Sequence, residues 1–319
     1  MQTFEIDSDQ FEAQLALVAA KVKEPAAGLF GPSSMMWRLA KHALAGSQGS
    51  GRALLLQIAH PWVTQGVNDH SKTRSDPLGR AARTFTAVLS IVFGSLDQAM
   101  REARIVHRVH QRIKGTMAVD SGDFPQGSRY SANEAYAMLW VHATLWDTTV
   151  LMHELFIGPL SDQEKEAFYK ETRLFAYMFG IPDEILPPNW QEFMEYNQAM
   201  WNSDQLVVNA ATRELAGFLF APMHFTLKPA MAWLKIVTAA TLNERLRRDF
   251  ALPYGSNEQR VFGVGRKAIY YADRVSPTIV RSGPSYVEAM RRIQGKSSTW
   301  LTRKLNKAML GRSELVSLR

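Results

Sequence analysis

Residues 135–156, AYAMLWVHATLWDTTVLMHELF, are apolar on almost every side of a helical wheel. A helix without a polar face must be covered all round, so it belongs at the centre of the fold with other elements packed about it. Ser131, three residues before Glu134, reads as a capping box opening this helix. At roughly 100° per residue, His142, Leu145, Trp146, Thr149 and His153 share one face. Imidazoles placed there are either core groups bonded to a backbone carbonyl or pocket groups serving a bound molecule.

The second informative stretch runs from Met100 to Met117, MREARIVHRVHQRIKGTM, and reads as a helix. Ile105, Val106, Val109, Ile113 and Met117 fall on one side. His110 lies on the flank of that stripe, and His107 lies further round, near Lys114 and Met100. The spacing predicts His110 inside and His107 at the edge. A core-facing imidazole among aliphatics is what a haem iron takes as an axial ligand. It is also what an ordinary buried histidine looks like, and that is the commoner fate of such a residue.

Composition removes several competing chemistries. The 319 residues include no cysteine, which excludes disulfides, thiolate zinc sites, iron–sulfur clusters, a cysteine nucleophile and covalent haem attachment. The 46% hydrophobic and 21% charged content is that of a soluble globular chain with length enough for a large core. The start, MQTFEIDSDQFEAQL, has no signal-peptide pattern, and no apolar run approaches the ~20 residues of a membrane span. A cytoplasmic protein is the expectation. Part of the formal +7 charge is local: Lys296, Arg303, Lys304, Lys307, Arg312 and Arg319 against Glu314. This reads as a solvated basic tail, with weak membrane-surface contact as the alternative. Trp300 stands alone among these cations, so no nucleic-acid partner is expected.

Along the chain, helix signals dominate. Residues 6–21 form a short amphipathic helix, and Ser33 or Ser34 opens another. GSQGSG, ending at Gly51, reads as a linker, and RALLLQIAH ends in a break at His60-Pro61. Asp76-Pro77 caps a helix carrying Arg80, Arg83, Thr84, Ala87, Val88 and Ile91, which Gly94 stops. Ser161 and Glu164 form a capping box for a helix to about Phe179. Further helices cover 188–200, 203–220, 228–241, 241–250, 256–273 and 284–294. No strand pattern survives inspection. One all-α domain of ten or more helices is expected.

Haem chemistry has plausible accessories. Arg80 and Arg83 suit propionates or a place over the iron, and Thr84 suits a bound ligand; as ordinary residues they are surface groups. Non-haem iron is weaker, because neither paired Glu-x-x-His nor HExxH occurs. A facial triad from His60, His70 or His142 with Asp69 or Asp147 remains. GVGRK, from Gly263, sits in a helical context and makes a poor phosphate loop, and no GxSxG elbow exists.

Taken in order, several segments resemble the latex-clearing protein and MpaB oxygenase family, a haem-dependent group. They are LFGPSSMMWR from Leu29, LLLQIAHPWVTQGVNDHS from Leu54, DPLGRAARTF from Asp76, RVHQRIKGT from Arg108, WVHATLWDT from Trp140 and ATRELAGFLFAP from Ala211. PSYVEAMRRIQG from Pro284 is a weaker echo. The resemblance spans roughly residues 28–295. It implies non-covalent haem b in an all-helical pocket, with His110 matching the family's proximal ligand to iron and His107 as the fallback. The family's distal arginine, basic residue and threonine match Arg80, Arg83 and Thr84. Its later pocket histidine matches His142. His60 belongs to the His-Pro motif, where a structural bond at the helix break is the expected role.

The implied activity is oxidative cleavage of a carbon–carbon double bond, using O₂, in an apolar isoprenoid-like or unsaturated lipid. O₂ would be taken up opposite His110, with Arg83 and Thr84 polarising it. The alternatives are a haem-binding carrier or sensor without turnover, and a helical binding module without cofactor. The implied organisation is an N-terminal helix and lead-in (1–27), the haem-binding domain (28–295) and the basic tail (296–319). The chain departs from the family in two respects. Without an export signal, extracellular rubber is not the expected substrate. Rubber-cleaving relatives also carry lysine where Arg83 stands. A guanidinium has no lone pair to give a metal, so Arg83 cannot cap the iron. Imidazole or cyanide added to the haem-loaded protein is therefore expected to shift its absorption spectrum; an unchanged spectrum would contradict an open iron site.

Overall fold

The computed structural model describes residues 3–71, 77–221, 224–277 and 281–315, excepting the side chains of Pro77, Leu78 and Ala81. The first helices are α1 (Ser8–Lys21), α2 (Met35–Ala40), α3 (Ala43–Gln48), α4 (Ser50–Ile58), α5 (Pro61–His70), α6 (Pro77–Phe93) and α7 (Leu96–His110). α8 (Ala135–Phe156) and α9 (Asp162–Tyr177) form the middle. α10 (Trp190–Asn202), α11 (Ala210–Phe220), α12 (Lys228–Thr241), α13 (Glu244–Asp249), α14 (Ser256–Val275), α15 (Gly283–Ile293) and α16 (Trp300–Leu310) follow. Between α7 and α8, β1 (Lys114–Thr116) pairs antiparallel with β2 (Arg129–Ser131), Gly115 facing Tyr130. The protein is all-α apart from this ribbon.

α8 is the central helix its sequence requires. Trp140 and Ala143 are completely buried, and the Trp140 indole N–H donates to the Leu56 carbonyl at 2.9 Å. α2, α3, α4, α9, α10 and α14 pack around it. Its start differs from expectation. Glu134 is itself the cap, accepting the Ala137 N–H at 2.7 Å, because Ser131 is taken up by β2. Ser34, Ser161 and His60-Pro61 act where the sequence places them: Ser34 and Ser161 accept first-turn N–H groups, and Pro61 occupies the first turn of α5. Asp76, expected to cap α6, lies outside the described residues.

The expected linker GSQGSG is helical, divided between α3 and α4. Its glycines are there for close approach. A Cβ on Gly49 would lie 2.4 Å from Thr148 Cγ2, and one on Gly51 would lie 2.2 Å from Thr238 Oγ1. Removing two side chains lets α4 press against α8 and α12. Arg52 occupies the resulting seam, buried, with Nη2 2.6 Å from Asp147 Oδ2. It also donates to Thr148 Oγ1 at 2.6 Å and to the Thr241 carbonyl at 3.0 Å.

The two ends of the chain join the core. Phe11, Leu15 and Val18 of α1 belong to the main hydrophobic cluster. The expected solvated tail contains α16, whose Thr302, Asn306 and Leu310 are buried. Glu288 of α15 accepts from Asn306 Nδ2 at 2.6 Å and from the Leu315 N–H at 3.0 Å. Arg303, Lys304 and Lys307 stay on the exposed side. Among the described residues no helix is long and apolar enough to cross a membrane.

Breaking a buried pair strands a charge at a cost of about 3–5 kcal/mol, whereas an apolar replacement of both members is near neutral. Asp147→Leu alone should lose stability on that scale in urea unfolding, and Arg52→Met with Asp147→Leu should recover most of it. A double variant as weak as the single would contradict the role given to the pair.

Candidate functional site

α7 is opened by a reciprocal Ser95–Gln98 capping box and ends at His110, short of the expected Met117. The next residues turn into β1, and the stripe inferred from Ile113 and Met117 is therefore absent from this helix. The buried face is Leu96, Ala99, Ala103 and His107, while Val109 is 51% exposed. His107 is accordingly the more buried residue, at 6% exposure, and His110 is half-buried. Whole-residue exposure thus runs against the order the wheel predicts, while the His110 ring lies deep enough for burial to lower its pKa to about 4.

The nitrogen atoms tell the two apart more sharply. The ring of His107 is stacked on Phe11, with centroids 4.1 Å apart and planes within 3°. Its Nε2 lies 3.3 Å from Gln111 Nε2. An amide NH₂ only donates, so His107 Nε2 accepts and the ring proton sits on Nδ1. That lone pair is already engaged. His110 Nδ1 is fully buried and makes no well-aligned hydrogen bond, although Asn133 and the Ala132 backbone lie close to the ring. Burial, followed by the His107 charge, lowers the His110 pKa to about 4, against the opposing pull of Asn133 and the Ala132 backbone. The imidazole is therefore neutral at physiological pH, the form a metal takes.

His142 is set by its own helix. Trp146, one turn on, donates its indole N–H to His142 Nδ1 at 3.1 Å. The ring proton then belongs to Nε2, which is buried without a partner. His142 thus presents a donor rather than a lone pair, and burial lowers its pKa to about 3. Its ring neighbours are Trp146 and Phe175, which group it with α9 rather than with the α7 histidines. His60 caps α5 without a side-chain capping bond, lies beside Phe124 and Trp62, and has an unpartnered buried Nδ1. That nitrogen does not make the structural bond expected at the helix break, and burial lowers the pKa to about 3.

α6 packs along α7. Arg80 is half-buried, and burial together with the Arg83 charge lowers its pKa. Arg83 and Thr84 are exposed. The inward hydroxyls are Thr86 and Ser90, both buried and unpartnered at oxygen. Their spacing of four on the apolar face was the available signal, missed because hydroxyls in helices ordinarily bond back to a carbonyl. Asn133 was missed as well; its buried Oδ1 is unpartnered, and its Nδ2 reaches the His107 carbonyl at 3.5 Å.

The facial triad fails. Asp147 pairs with Arg52, Asp69 accepts from Tyr130 at 2.6 Å, and His70 lies 3.1 Å from the same hydroxyl. Among the described residues no three metal-binding side chains converge. A haem iron takes a neutral imidazole as its axial ligand, and both His110 and His60 offer one with a buried Nδ1.

Residues 37–270 match the family model described as "ER-bound oxygenase mpaB/B'/Rubber oxygenase, catalytic domain". Uncharacterized proteins of Mycobacterium bovis and Mycobacterium tuberculosis are each 26% identical over 236 residues, covering 70% of this chain and 87% of theirs. No solved structure matches the chain.

The depressed histidine pKa values make stability pH-dependent. Unfolded imidazoles protonate below about 6.5, while folded His60, His110 and His142 stay neutral to about 3, 4 and 3. The unfolded state therefore binds more protons as pH falls, and stability drops by about 1.4 kcal/mol per pH unit for each such histidine. Urea unfolding should show this loss between roughly pH 6.5 and 5, with a slope shallower by about one proton in His142→Gln. Stability constant over that window would contradict the neutral assignments.

Proposed function

The chain belongs to the mpaB and rubber oxygenase catalytic-domain family, and from that premise we propose that it is a haem b-dependent oxygenase. Its substrate class is an apolar isoprenoid-like or unsaturated lipid, cleaved with O₂ at a carbon–carbon double bond. The observation that carries the reading is His110, a neutral imidazole with a buried Nδ1 at the position that the family resemblance gives to the iron ligand; His60 shares the first property but not the second. His107 is the weaker candidate because Gln111 occupies its Nε2 and Phe11 covers its ring.

Haem bound at His110 would supply the O₂ chemistry that side chains lack. The chain's own groups bind, orient and exclude water. Half-buried Arg80 offers the charge that pairs with a carboxylate of the cofactor. Thr86 and Ser90 offer hydroxyl donors on the inward side of α6, beside the exposed Arg83 and Thr84. His142 Nε2–H is a further buried donor, held in its tautomer by Trp146. The packed rings of Trp146, Phe168 and Phe175 keep water from that region.

His110→Ala should purify nearly colourless while keeping the wild-type helical circular dichroism, and His107→Ala should retain haem. The reduced wild-type protein should consume O₂ when given an alkene-bearing lipid and release carbonyl products. Full haem retention by His110→Ala would overturn the ligand assignment. Haem binding without O₂ uptake across such lipids would contradict the oxygenase and leave a carrier.

A further inference from the structure

A cleft of about 430 Å³ runs between α11 and α12, and none of the candidate-site histidines lines it. That volume lies in the ~300–1,000 Å³ range of small-molecule sites. Phe220, Met231, Phe250 and Leu252 supply its apolar wall. Among the described residues its charged members are Arg213, Lys228 and Lys235, with no carboxylate in the lining. Arg213 donates Nε–H to the Asp249 backbone carbonyl at 2.8 Å, which fixes the guanidinium without neutralising it. Among the described residues neither Lys228 nor Lys235 has a carboxylate partner.

Gly217 is the second observation. It sits inside α11 and lines the cleft, and a Cβ built on it would meet nothing within 4 Å. Gly49 and Gly51 are required by close helix packing; Gly217 is not. Glycine in a helix interior costs about 1 kcal/mol relative to alanine. With no neighbour to demand it, its effect is to leave the cleft open.

We propose that this cleft binds one anionic amphiphile. The head, a carboxylate or phosphate, is held by Arg213, Lys228 and Lys235. The chain passes over Gly217 onto Phe220, Met231, Phe250 and Leu252. Three uncompensated cations select the charge of the head, and the apolar wall selects a hydrocarbon tail. The site shares no residue with the proposed haem site and does not depend on haem being bound.

The test is a titration of the full chain with cis-parinaric acid, a fluorescent long-chain carboxylate, followed by displacement with oleate, oleyl phosphate or oleyl alcohol. The proposal expects saturable 1:1 binding, with the alcohol at least about tenfold weaker than whichever anion displaces best. That anion identifies the head group. Lys228→Glu with Lys235→Glu, both exposed positions, should weaken binding by a similar factor with Tm unchanged. Gly217→Leu should abolish binding while leaving Tm equal or higher, which a purely structural glycine would not do. Absent saturable binding, equal affinity for acid and alcohol, or unchanged binding in both variants would overturn the proposal. Because fluorescence reads the ligand directly, failure here is separate from failure of the oxygenase reading.

Discussion

One guanidinium fixes the relative position of four helices. Arg52 of α4 meets Asp147 and Thr148 on α8, bonds the last carbonyl of α12, and lies 5.6 Å from the Trp201 ring of α10. A buried cation is tolerated only where its donors are satisfied, so α4 can sit against α8 in very few ways. Gly49 and Gly51 make that approach sterically possible. From there α4 runs to His60-Pro61, where the chain breaks into α5. The histidine region is thus built outward from a polar seam as much as from apolar packing.

The centre of the fold was legible because α8 has no polar face, and the breaks at Pro61 and the caps at Ser34 and Ser161 were legible because they act locally. The seam was not. GSQGSG has the composition of a linker whether its glycines face solvent or a neighbouring helix, and only the position of Thr148 and Thr238 distinguishes the two. The C-terminal helix misled for a related reason. Its outward face carries the charges, and its inward face carries Thr302, bonded to the cap residue Thr299, and Asn306, bonded to Glu288 of α15, so no hydrophobic stripe advertises burial. The β1–β2 ribbon depends on a pairing between distant segments, which local propensity does not encode.

Within the candidate site, sequence spacing picked out the relevant imidazoles but not their chemical states. The wheel for the two-histidine stretch included Ile113 and Met117, which lie beyond the end of α7, and so did not show that His107 is buried as well as His110. Hydrogen bonds to single nitrogens decide what each ring offers. Gln111 uses the lone pair of His107, and Trp146 turns His142 into a donor. The second of these was readable in principle, since residues four apart share a helix face. His60 and His110 remain as neutral imidazoles with a buried Nδ1, in a chain whose family is that of the mpaB and rubber oxygenases.

The most direct measurement is the absorption spectrum of the full chain expressed with ample haem supply, oxidised and then reduced, with a pyridine extract to count the haem. The account predicts a Soret band and about one haem per chain, as expected of a single non-covalent axial site. A colourless protein that stays colourless after reconstitution would contradict it.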